Sequence, residues 1–326
     1  VYHAGASLLA GKPFQMIERE LQEALTHSEG ATVAEVHVLQ GLIAAFRGDA
    51  RASETLSQVA LDLLPENDRF LRSLVVQNMA LIQMVEGDVN QAMPSLLAAA
   101  EVSASAGNVM SQVICLAHAG EVAIAAGQLV AAQAYYQEAM ALAVDRQQRP
   151  LPIMGIAKMG LGEVYREWNR LQKAAALSEE GLALIQRWGQ VGQMDGYIWS
   201  AQIKQAQRDE AGAVEAMRKA AELAARFDAS QIDDYMVGMY RARLDIQQGR
   251  MEMARQWLAE TGVADAALPE TPYHMWELGR LTLIYLAIAR KDWLTTSALI
   301  AELFPFAQNN GRKGFVIDLF ALQAAA

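Results

Sequence analysis

The amino-acid sequence predicts an all-α protein, an α-solenoid in which helical hairpins follow one another along the chain. Three observations predict it: a tight-turn signal recurs about every 40 residues, small residues keep a fixed distance from each turn, and no segment alternates like a strand. Of the 326 residues, 53% are hydrophobic but only 7% are aromatic. Because small side chains let helices approach closely, this composition favours helices packed on helices.

The recurring turn is of the type Gly-Asp. Gly or Asn at its first position tolerates the left-handed backbone that ends a helix, and Asp at its second position can cap the next helix. Successive turns stand 39 to 42 residues apart. The seven turns are Gly48-Asp49, Gly87-Asp88, Gly127-Gln128, Asn169-Arg170, Arg208-Asp209, Gly249-Arg250 and Lys291-Asp292.

Small residues keep step with these turns on both sides. Seven positions before the turn the residue is small in six of seven cases: Gly41, Ala80, Gly120, Gly162, Ala201, Ala242 and Ile284. Five positions after it stand Ser53, Ala92, Ala132, Ala174, Ala213, Ala254 and Thr296. Each pair falls on facing sides of two consecutive helices, so the two backbones can close into a tight αα-hairpin.

Each unit is therefore interpreted as helix A, tight turn, helix B and a longer connector. The first complete unit has helix A at Val36–Phe46 and helix B at Ala50–Leu64, which Pro65 ends. The other connectors are marked by Ala106-Gly107-Asn108, Pro150-Leu151-Pro152, Trp188-Gly189, and Pro269 to Pro272. Seven hairpins are complete, a partial unit precedes them around Gly11, and residues 315–326 begin an eighth helix A.

One domain covering residues 1–326 is the economical organisation, because no linker or low-complexity segment divides the array. Stacked hairpins of constant design accumulate a small rotation per repeat, so we expect a right-handed superhelix of about sixteen helices. The chain begins at Val1 without Met and stops at Ala326 without a helix cap, which suggests a fragment of a larger protein.

The small-residue pair around a Gly-Asp turn resembles the tetratricopeptide repeat. That motif has a shorter period of 34 residues, and only Pro65 fills its proline position here. A period near 40 with a loose consensus is more similar to the sensor region of MalT-like, LuxR-family transcriptional activators. The segments 123–129 and 317–324 resemble that family, and the resemblance covers nearly the whole chain.

These activators are signal-transduction ATPases with a nucleotide-binding module upstream and a helix-turn-helix domain downstream. This sequence contains neither a phosphate-binding Gly-x-x-x-x-Gly-Lys-Ser/Thr loop nor a basic helix-turn-helix. The resemblance therefore implies the sensor region alone. In that family this region receives an inducer, either a small molecule or a regulatory protein, and relays its presence to the ATPase.

Charge argues against direct binding of nucleic acid. The net charge is −10, and 27 basic residues are outnumbered by 37 acidic ones without any basic run. The single cysteine, Cys115, excludes an internal disulfide and fits a reducing compartment; its apolar neighbours predict a buried thiol. Polar residues interrupt the charge-poor segment 89–137 too often for a membrane span, so we expect a cytoplasmic protein.

No arrangement typical of catalysis is found. The five histidines lack the spacing of a metal-binding pair, and there is no Cys-x-x-Cys and no Ser/His/Asp set. We therefore expect neither an enzyme, nor a metal site, nor a cofactor.

The A helices offer a better candidate, because A helices line the concave surface of tetratricopeptide-like superhelices. Two positions per A helix should face that groove. The first holds Leu39, Asn78, His118, Gly160, Trp199, Tyr240 and Thr282; the second holds Leu42, Leu81, Glu121, Glu163, Gln202, Arg243 and Tyr285. The later positions turn aromatic and polar, as a site for a sugar, a peptide or another polar ligand requires.

The candidate groove residues are His118, Glu121, Glu163, Asp195, Trp199, Gln202, Tyr240 and Arg243. Arg243 would offer a fork of donors and the carboxylates would accept. The alternative for Trp199 and Tyr240 is packing between repeats, which is the commoner role of aromatic residues at helical spacing.

The segment 89–137 carries only two formal charges, Glu101 and Glu121. An exposed apolar patch of this kind often marks an interface. We therefore expect contact with another subunit or another domain of the parent protein, with Tyr135 and Tyr136 on the exposed face. The alternative is an ordinary alanine-rich stretch.

Two functions remain open from the sequence. The first is the effector-sensing domain of an ATP-dependent transcriptional regulator. The second is a stand-alone scaffold module that binds a partner's peptide in the groove. They differ in the domains beside them in the parent gene.

Overall fold

The computed structural model describes residues 2–325 apart from 10, 11, 13, 28, 48, 188–191, 227–230 and 264–273. Its regular elements in this described part are α-helices throughout, which confirms the all-α prediction. They are α1 Tyr2–Leu9, α2 Phe14–Thr26, α3 Ala31–Phe46, α4 Ala50–Leu63, α5 Arg69–Glu86, α6 Val89–Ser105, α7 Val109–Ala125, α8 Leu129–Leu142, α9 Met154–Glu167, α10 Leu171–Gln186, α11 Gln193–Ala206, α12 Glu210–Arg226, α13 Gln231–Gln247, α14 Met251–Thr261, α15 His274–Ala289, α16 Trp293–Asn309 and α17 Lys313–Ala325.

The tight turns occur where the repeat predicts them. The first turn residue has a positive φ in every described case: Gly87, Gly127, Asn169, Arg208, Gly249 and Lys291. Gly48 lies outside the described residues. Asp at the second turn position caps the next helix. The Asp49 carboxylate accepts from the Ala52 amide at 2.9 Å, and the Asp88 carboxylate accepts from the Asn90 amide at 2.8 Å.

The paired small residues bring the two helices of a hairpin into close contact, as predicted. The Ser53 hydroxyl donates to the Gly41 carbonyl at 2.7 Å. A Cβ added to Gly162 would lie 3.1 Å from the carbonyl oxygen of Ala174, so no larger residue fits at this position without a shift. All of the predicted pair positions are buried.

The A helices lie on the inner side of the array. In the described part of the chain, α3, α5, α7, α9, α11, α13 and α15 are the A helices, and each packs against the next A helix. Consecutive B helices do not pack to a comparable extent. A helices therefore form the inner, tighter wall, which surrounds what we call the central channel.

The array curves until its C-terminal turn meets its own second and third hairpins. The Val89 amide donates to the Asn310 carbonyl at 3.0 Å, and Arg312 Nη1 donates to the Gly87 carbonyl at 3.5 Å. The backbone of Gly314 packs directly against Gly127. We call this set the ring-closing contact, because it joins hairpins that are far apart in sequence.

A buried ion pair supports the ring-closing contact. Arg312 Nε lies 2.7 Å from a carboxylate oxygen of Glu277 on α15, and the two side chains are 8% and 0% exposed. Because two buried charges with hydrogen bonds hold a single geometry, this pair fixes where the α16–α17 turn lies.

Several predicted details differ. Helix α3 begins at Ala31 rather than Val36, because Gly30 at φ 59° starts it one turn earlier. The Gly11 turn and the connectors at 188–189 and 269–272 lie outside the described residues.

Tyr136 is fully buried, so its predicted exposure is wrong, while Cys115 is fully buried as predicted. Burial raises the pKa of the Cys115 thiol to about 12 despite the Ser111 hydrogen bond. No described helix combines the length and hydropathy needed to span a bilayer.

We expect Ala174→Leu to lower the free energy of unfolding by about 1–3 kcal/mol, because α9 and α10 leave no room for a larger side chain. Ala183→Leu, at an exposed position of the same helix, should change it little. Urea unfolding followed by circular dichroism measures both. Equal effects in the two variants would contradict the hairpin register.

Arg312→Leu should lower the free energy of unfolding by about 3 kcal/mol, because it leaves the Glu277 carboxylate buried without this partner. The double variant Arg312→Leu/Glu277→Leu should recover much of that loss. Arg255→Leu, which removes an exposed ion pair on α14, is the matched control and should change stability little. A silent Arg312→Leu would show that the ring-closing contact adds nothing to stability.

Candidate functional site

Helix α7 places a histidine and a glutamate on the channel wall. His118 Nδ1 lies 3.2 Å from a carboxylate oxygen of Glu121, one helical turn later. Burial lowers the pKa of His118, but the charge and hydrogen bond of Glu121 and the charge of Asp195 raise it further, so that the pKa is raised overall. His118 and Glu121 therefore form a polar pair, and the charge of Asp195 on helix α11 also raises the pKa of the imidazole.

Helix α9 adds a small ion-pair network. Arg166 donates from Nε and Nη2 to the two carboxylate oxygens of Glu163, at 2.8 and 2.7 Å, and it also pairs with Glu167. Burial raises the pKa of Glu167, and the carboxylates of Glu163 and Asp318 add to this, while Arg166 lowers it. The Arg166 guanidinium thus pairs with two carboxylates. It offsets the effect of burial on the pKa of Glu167 only in part.

Helix α11 carries the predicted face of Asp195, Trp199 and Gln202. Asp195 is exposed, and the other two side chains are half-buried. Trp199 packs against the buried cluster that includes Ile198 and Met217. Both interpretations of Trp199 therefore apply in part, because one portion of the indole packs between helices and the rest remains accessible.

Arg243 on α13 is held between two aromatic rings. Its guanidinium carbon lies 5.6 Å from the Tyr240 ring centroid and 5.9 Å from that of Tyr285 on α15. Its Nε donates to the Thr282 hydroxyl at 3.0 Å and its Nη2 to the Leu278 carbonyl at 2.6 Å. Two of its donors therefore connect α13 to α15, so the donor fork that the sequence predicts for a ligand is only partly available.

Helix α17 brings a further carboxylate to the channel. Burial raises the pKa of Asp318, and the guanidinium groups of Arg166 and Arg243 lower it by a smaller amount. The effect of these two guanidinium groups on its pKa indicates that Asp318 stands on the same inner side as α9 and α13. Helix α17 also begins at the ring-closing contact, so this one helix takes part both in that contact and in the channel wall.

Tyr136 of helix α8 reaches the channel wall from behind. A Cβ on Gly120 or Gly160 would lie 2.5 and 2.3 Å from its ring, so these two glycines form the slot through which it passes. Its hydroxyl is buried and has no hydrogen-bond partner among the described residues. Burial, followed by the charges of Glu121 and Glu163, raises the pKa of Tyr136 well above its ordinary value, so the hydroxyl stays neutral.

Mutual effects on their pKa values relate side chains of α7, α8, α9, α11, α13, α15 and α17 to one another. We call it the channel cluster: His118, Glu121, Tyr136, Glu163, Arg166, Glu167, Asp195, Tyr240, Arg243, Tyr285 and Asp318. Six of the eight candidate residues are members, and Trp199 and Gln202 stand beside Asp195 on α11. Five carboxylates face two guanidiniums and one imidazole, so the described cluster has an acidic excess.

Other groove positions are part of the core. Leu39 and Leu42 pack against Ile17 and Leu21 of α2. Asn78 is buried and donates to the Val38 carbonyl at 3.3 Å, and Thr282 is buried. The eight predicted site residues lie in hairpins three to six, from α7 to α13. An open apolar depression of about 670 Å³ between the α7–α8 turn and Trp168 has no charged lining and is a poor candidate for a polar ligand.

The groove positions of the repeat do not include four members of the channel cluster: Arg166, Glu167, Tyr136 and Asp318. Asp318 could have been found from the period. Position 322 lies one period of about 40 residues after the groove position Thr282. Asp318 stands four residues before it, just as Asp195 stands four residues before the groove position Trp199. Arg166 and Glu167 follow Glu163 at helical spacing. Tyr136 gives no such signal, because it lies on a B helix.

Tyr136→Phe should leave the free energy of unfolding unchanged or raise it by up to about 1 kcal/mol, since a buried hydroxyl without a partner is destabilising. Tyr197→Phe, which removes the acceptor of a 3.0 Å hydrogen bond from Gln186, should lower it modestly. Chemical unfolding of both variants measures the difference. A clear loss of stability in Tyr136→Phe would mean that its hydroxyl has a partner in solution.

Comparison with known proteins agrees with this architecture. Rap protein complexed with Competence and Sporulation Factor superposes with a TM-score of 0.67 at 12% identity, over 93% of this chain and 82% of that one. The Rap conjugation gene regulator of plasmid pLS20, in complex with the Phr peptide, gives 0.62 at 16% identity, over 86% and 75%. The apo form of RapI gives 0.56 at 13% identity, over 86% and 99%. These identities show likeness of fold alone.

A comparison with curated proteins finds no match. The family comparison is decisive, because the model of the MalT-like TPR region matches residues 34–326, from helix α3 to the C-terminal end of the chain. The period near 40, the left-handed turns and the tetratricopeptide-like hairpins agree with that match. The chain belongs to the MalT-like TPR region family.

Proposed function

We propose that this chain is the effector-sensing domain of a MalT-like, LuxR-family, ATP-dependent transcriptional regulator. The observation that carries the proposal is the channel cluster, which stands on the inner helices of a MalT-like TPR region. Such an inner wall combines aromatic surface with convergent charged groups, as polar ligand sites do. An inducer or a regulatory partner would bind there.

The same arrangement suggests how binding is relayed. The charges of Arg166 and Arg243 lower the pKa of Asp318 on α17, and α17 also begins at the ring-closing contact. An occupant that interacts differently with the closed and open arrangements would shift the balance between them. In the parent regulator, such a shift would be passed to a neighbouring ATPase module.

A second candidate function is a scaffold module that binds a partner's peptide. The fold similarity to Rap proteins, two of which were solved in complex with a factor or a peptide, favours this candidate. The two functions differ in their neighbours. A nucleotide-binding loop encoded upstream and a helix-turn-helix downstream in the parent gene would support the regulator, and their absence would favour the scaffold.

Binding rather than catalysis fits both candidates. The one thiol of the chain, Cys115, is buried, and its pKa of about 12 keeps it protonated at neutral pH. In the channel cluster, His118 pairs with Glu121, and Arg166 pairs with Glu163 and Glu167. We expect no catalytic turnover.

Trp199→Ala should weaken effector binding by at least several-fold while helical content is retained, because truncating an aromatic side chain in a binding site commonly costs more than about 1 kcal/mol. A thermal-shift screen of metabolites and peptides against the wild-type chain would identify the effector. Titration calorimetry then compares the variants.

The control is Leu42→Ala, in the core beside α2. It should lower stability and leave affinity unchanged. Equal affinity in wild type and Trp199→Ala would move the site away from the channel. Arg243→Ala is a less selective test, because it also removes the bonds between α13 and α15.

A further inference from the structure

Large hydrophobic side chains are exposed together at one place outside the channel. Single exposed hydrophobic side chains are ordinary on a protein surface, whereas a group of them marks an interaction site. Among the described residues, five of the fourteen exposed large hydrophobic side chains fall within two short segments, 63–70 and 102–110. We call these five the connector patch: Leu63, Phe70, Val102, Val109 and Met110.

The two segments that carry the connector patch are successive connectors from a B helix to the next A helix. Segment 63–70 leads from α4 to α5, and segment 102–110 leads from α6 to α7. Connectors of this kind share one edge of the array, and the tight turns share the other. The α5–α6 and α7–α8 turns make the ring-closing contact, so that contact leaves the connector edge of these hairpins uncovered.

Hydrogen bonds hold the two connectors in place. Arg72 Nη1 donates to the carbonyls of Leu61 and Leu64, at 3.2 and 3.0 Å, and so joins the end of α4 to α5. The buried Asn108 side chain donates from Nδ2 to the Ser73 hydroxyl at 3.1 Å, and so joins the second connector to α5 as well. The patch is therefore formed before any partner binds, which lowers the cost of ordering it.

The charged side chains beside the connector patch are mainly acidic. Asp62, Glu66, Glu101 and Arg69 are all exposed and stand next to patch residues in the sequence or within four positions of them. None of the four takes part in an ion pair within the described part of the chain. Three carboxylates against one guanidinium favour a partner that carries positive charge around its apolar surface.

The shape of the partner follows from the helical surroundings. Because the regular elements of the described residues are all helices, a bound segment finds no strand edge with which to pair its backbone. It must satisfy its own backbone hydrogen bonds, as a helix does. Packed helices such as α5 and α7 lie about 8–10 Å apart, and residues i and i+7 of one helix are also about 10 Å apart. Two turns of an amphipathic helix would therefore reach from Phe70 to Met110.

We propose that the connector patch binds a basic amphipathic helix of a partner protein. The apolar face of that helix would cover Phe70 and Met110, and its flanking Lys or Arg residues would pair with Glu66 and Glu101. This surface is separate from the channel cluster. The chain would thus have a second interaction site, whose existence does not depend on the function proposed for the channel.

The first experiment compares three synthetic peptides of about 16 residues, a length at which a helix is marginally stable alone. The first peptide carries a leucine stripe at helical spacing with lysines on both flanks. The second replaces every lysine by glutamate, and the third is the lysine peptide in a scrambled order without an apolar face. Fluorescence anisotropy on the full chain should show the first peptide binding about tenfold or more tightly than the other two.

The second experiment locates the apolar contact. Phe70→Ser/Met110→Ser should weaken the lysine peptide by about tenfold or more, because both side chains would lie at the centre of the interface. The matched control is Val130→Ser/Leu294→Ser, which removes two large hydrophobic side chains that are 74% and 85% exposed on the B helices α8 and α16. It should leave affinity within about twofold. Circular dichroism checks that all variants remain helical.

A second pair of variants tests the charges. Glu66→Gln/Glu101→Gln should weaken the lysine peptide several-fold, and the loss should shrink at high salt because screening already reduces the attraction. Glu179→Gln/Glu210→Gln makes the same change of net charge at exposed positions of α10 and α12, and should leave affinity within about twofold.

Three results would overturn the proposal. Equal affinity for the lysine and glutamate peptides would show that the acidic rim plays no part. Equal losses in the patch variants and their controls would indicate non-specific attraction to an acidic protein. Sedimentation of the wild-type chain gives the third test, since a dimer that Phe70→Ser/Met110→Ser dissociates would assign the patch to a second copy of the chain.

Discussion

The close approach of helix A to helix B is the constraint on which the rest of this structure depends. In each hairpin the approach is possible because small residues face each other, as Gly162 and Ala174 do. The B helices are thereby held behind the A helices, and the A helices of consecutive hairpins are left to pack on one another. The charged inner wall is in large part a consequence of this spacing, since most of its side chains come from the A helices, and Tyr136 reaches it from the B helix α8.

The sequence predicts the hairpins well because the information for them is local. Asn169, Arg208 and Lys291 adopt the left-handed conformation that the period assigns to them, although Arg and Lys rarely do so. The inner-wall residues His118, Glu121 and Tyr240 follow from the same period. Each of these properties depends on residues within one repeat or its neighbour.

What the sequence does not predict is non-local. Tyr136 belongs to the site only because Gly120 and Gly160, on two different A helices, leave a slot for it. The two Arg243 donors are taken by α15, which the helical spacing of α13 does not reveal. The ring-closing contact depends on small rotations accumulated over several hairpins, and no single residue encodes their sum.

For an effector bound in the channel, as proposed, ring closure would also limit the rate of exchange. In an open groove a ligand leaves sideways, so its dissociation rate follows from its own contacts alone. Because the α16–α17 turn contacts the second and third hairpins, a guest that left between these parts of the array would require that turn to detach first. The lifetime of the bound complex is then limited by a rearrangement of the protein, as in enzymes with closing lids. Such a domain would retain the memory of a brief signal after the free effector had gone.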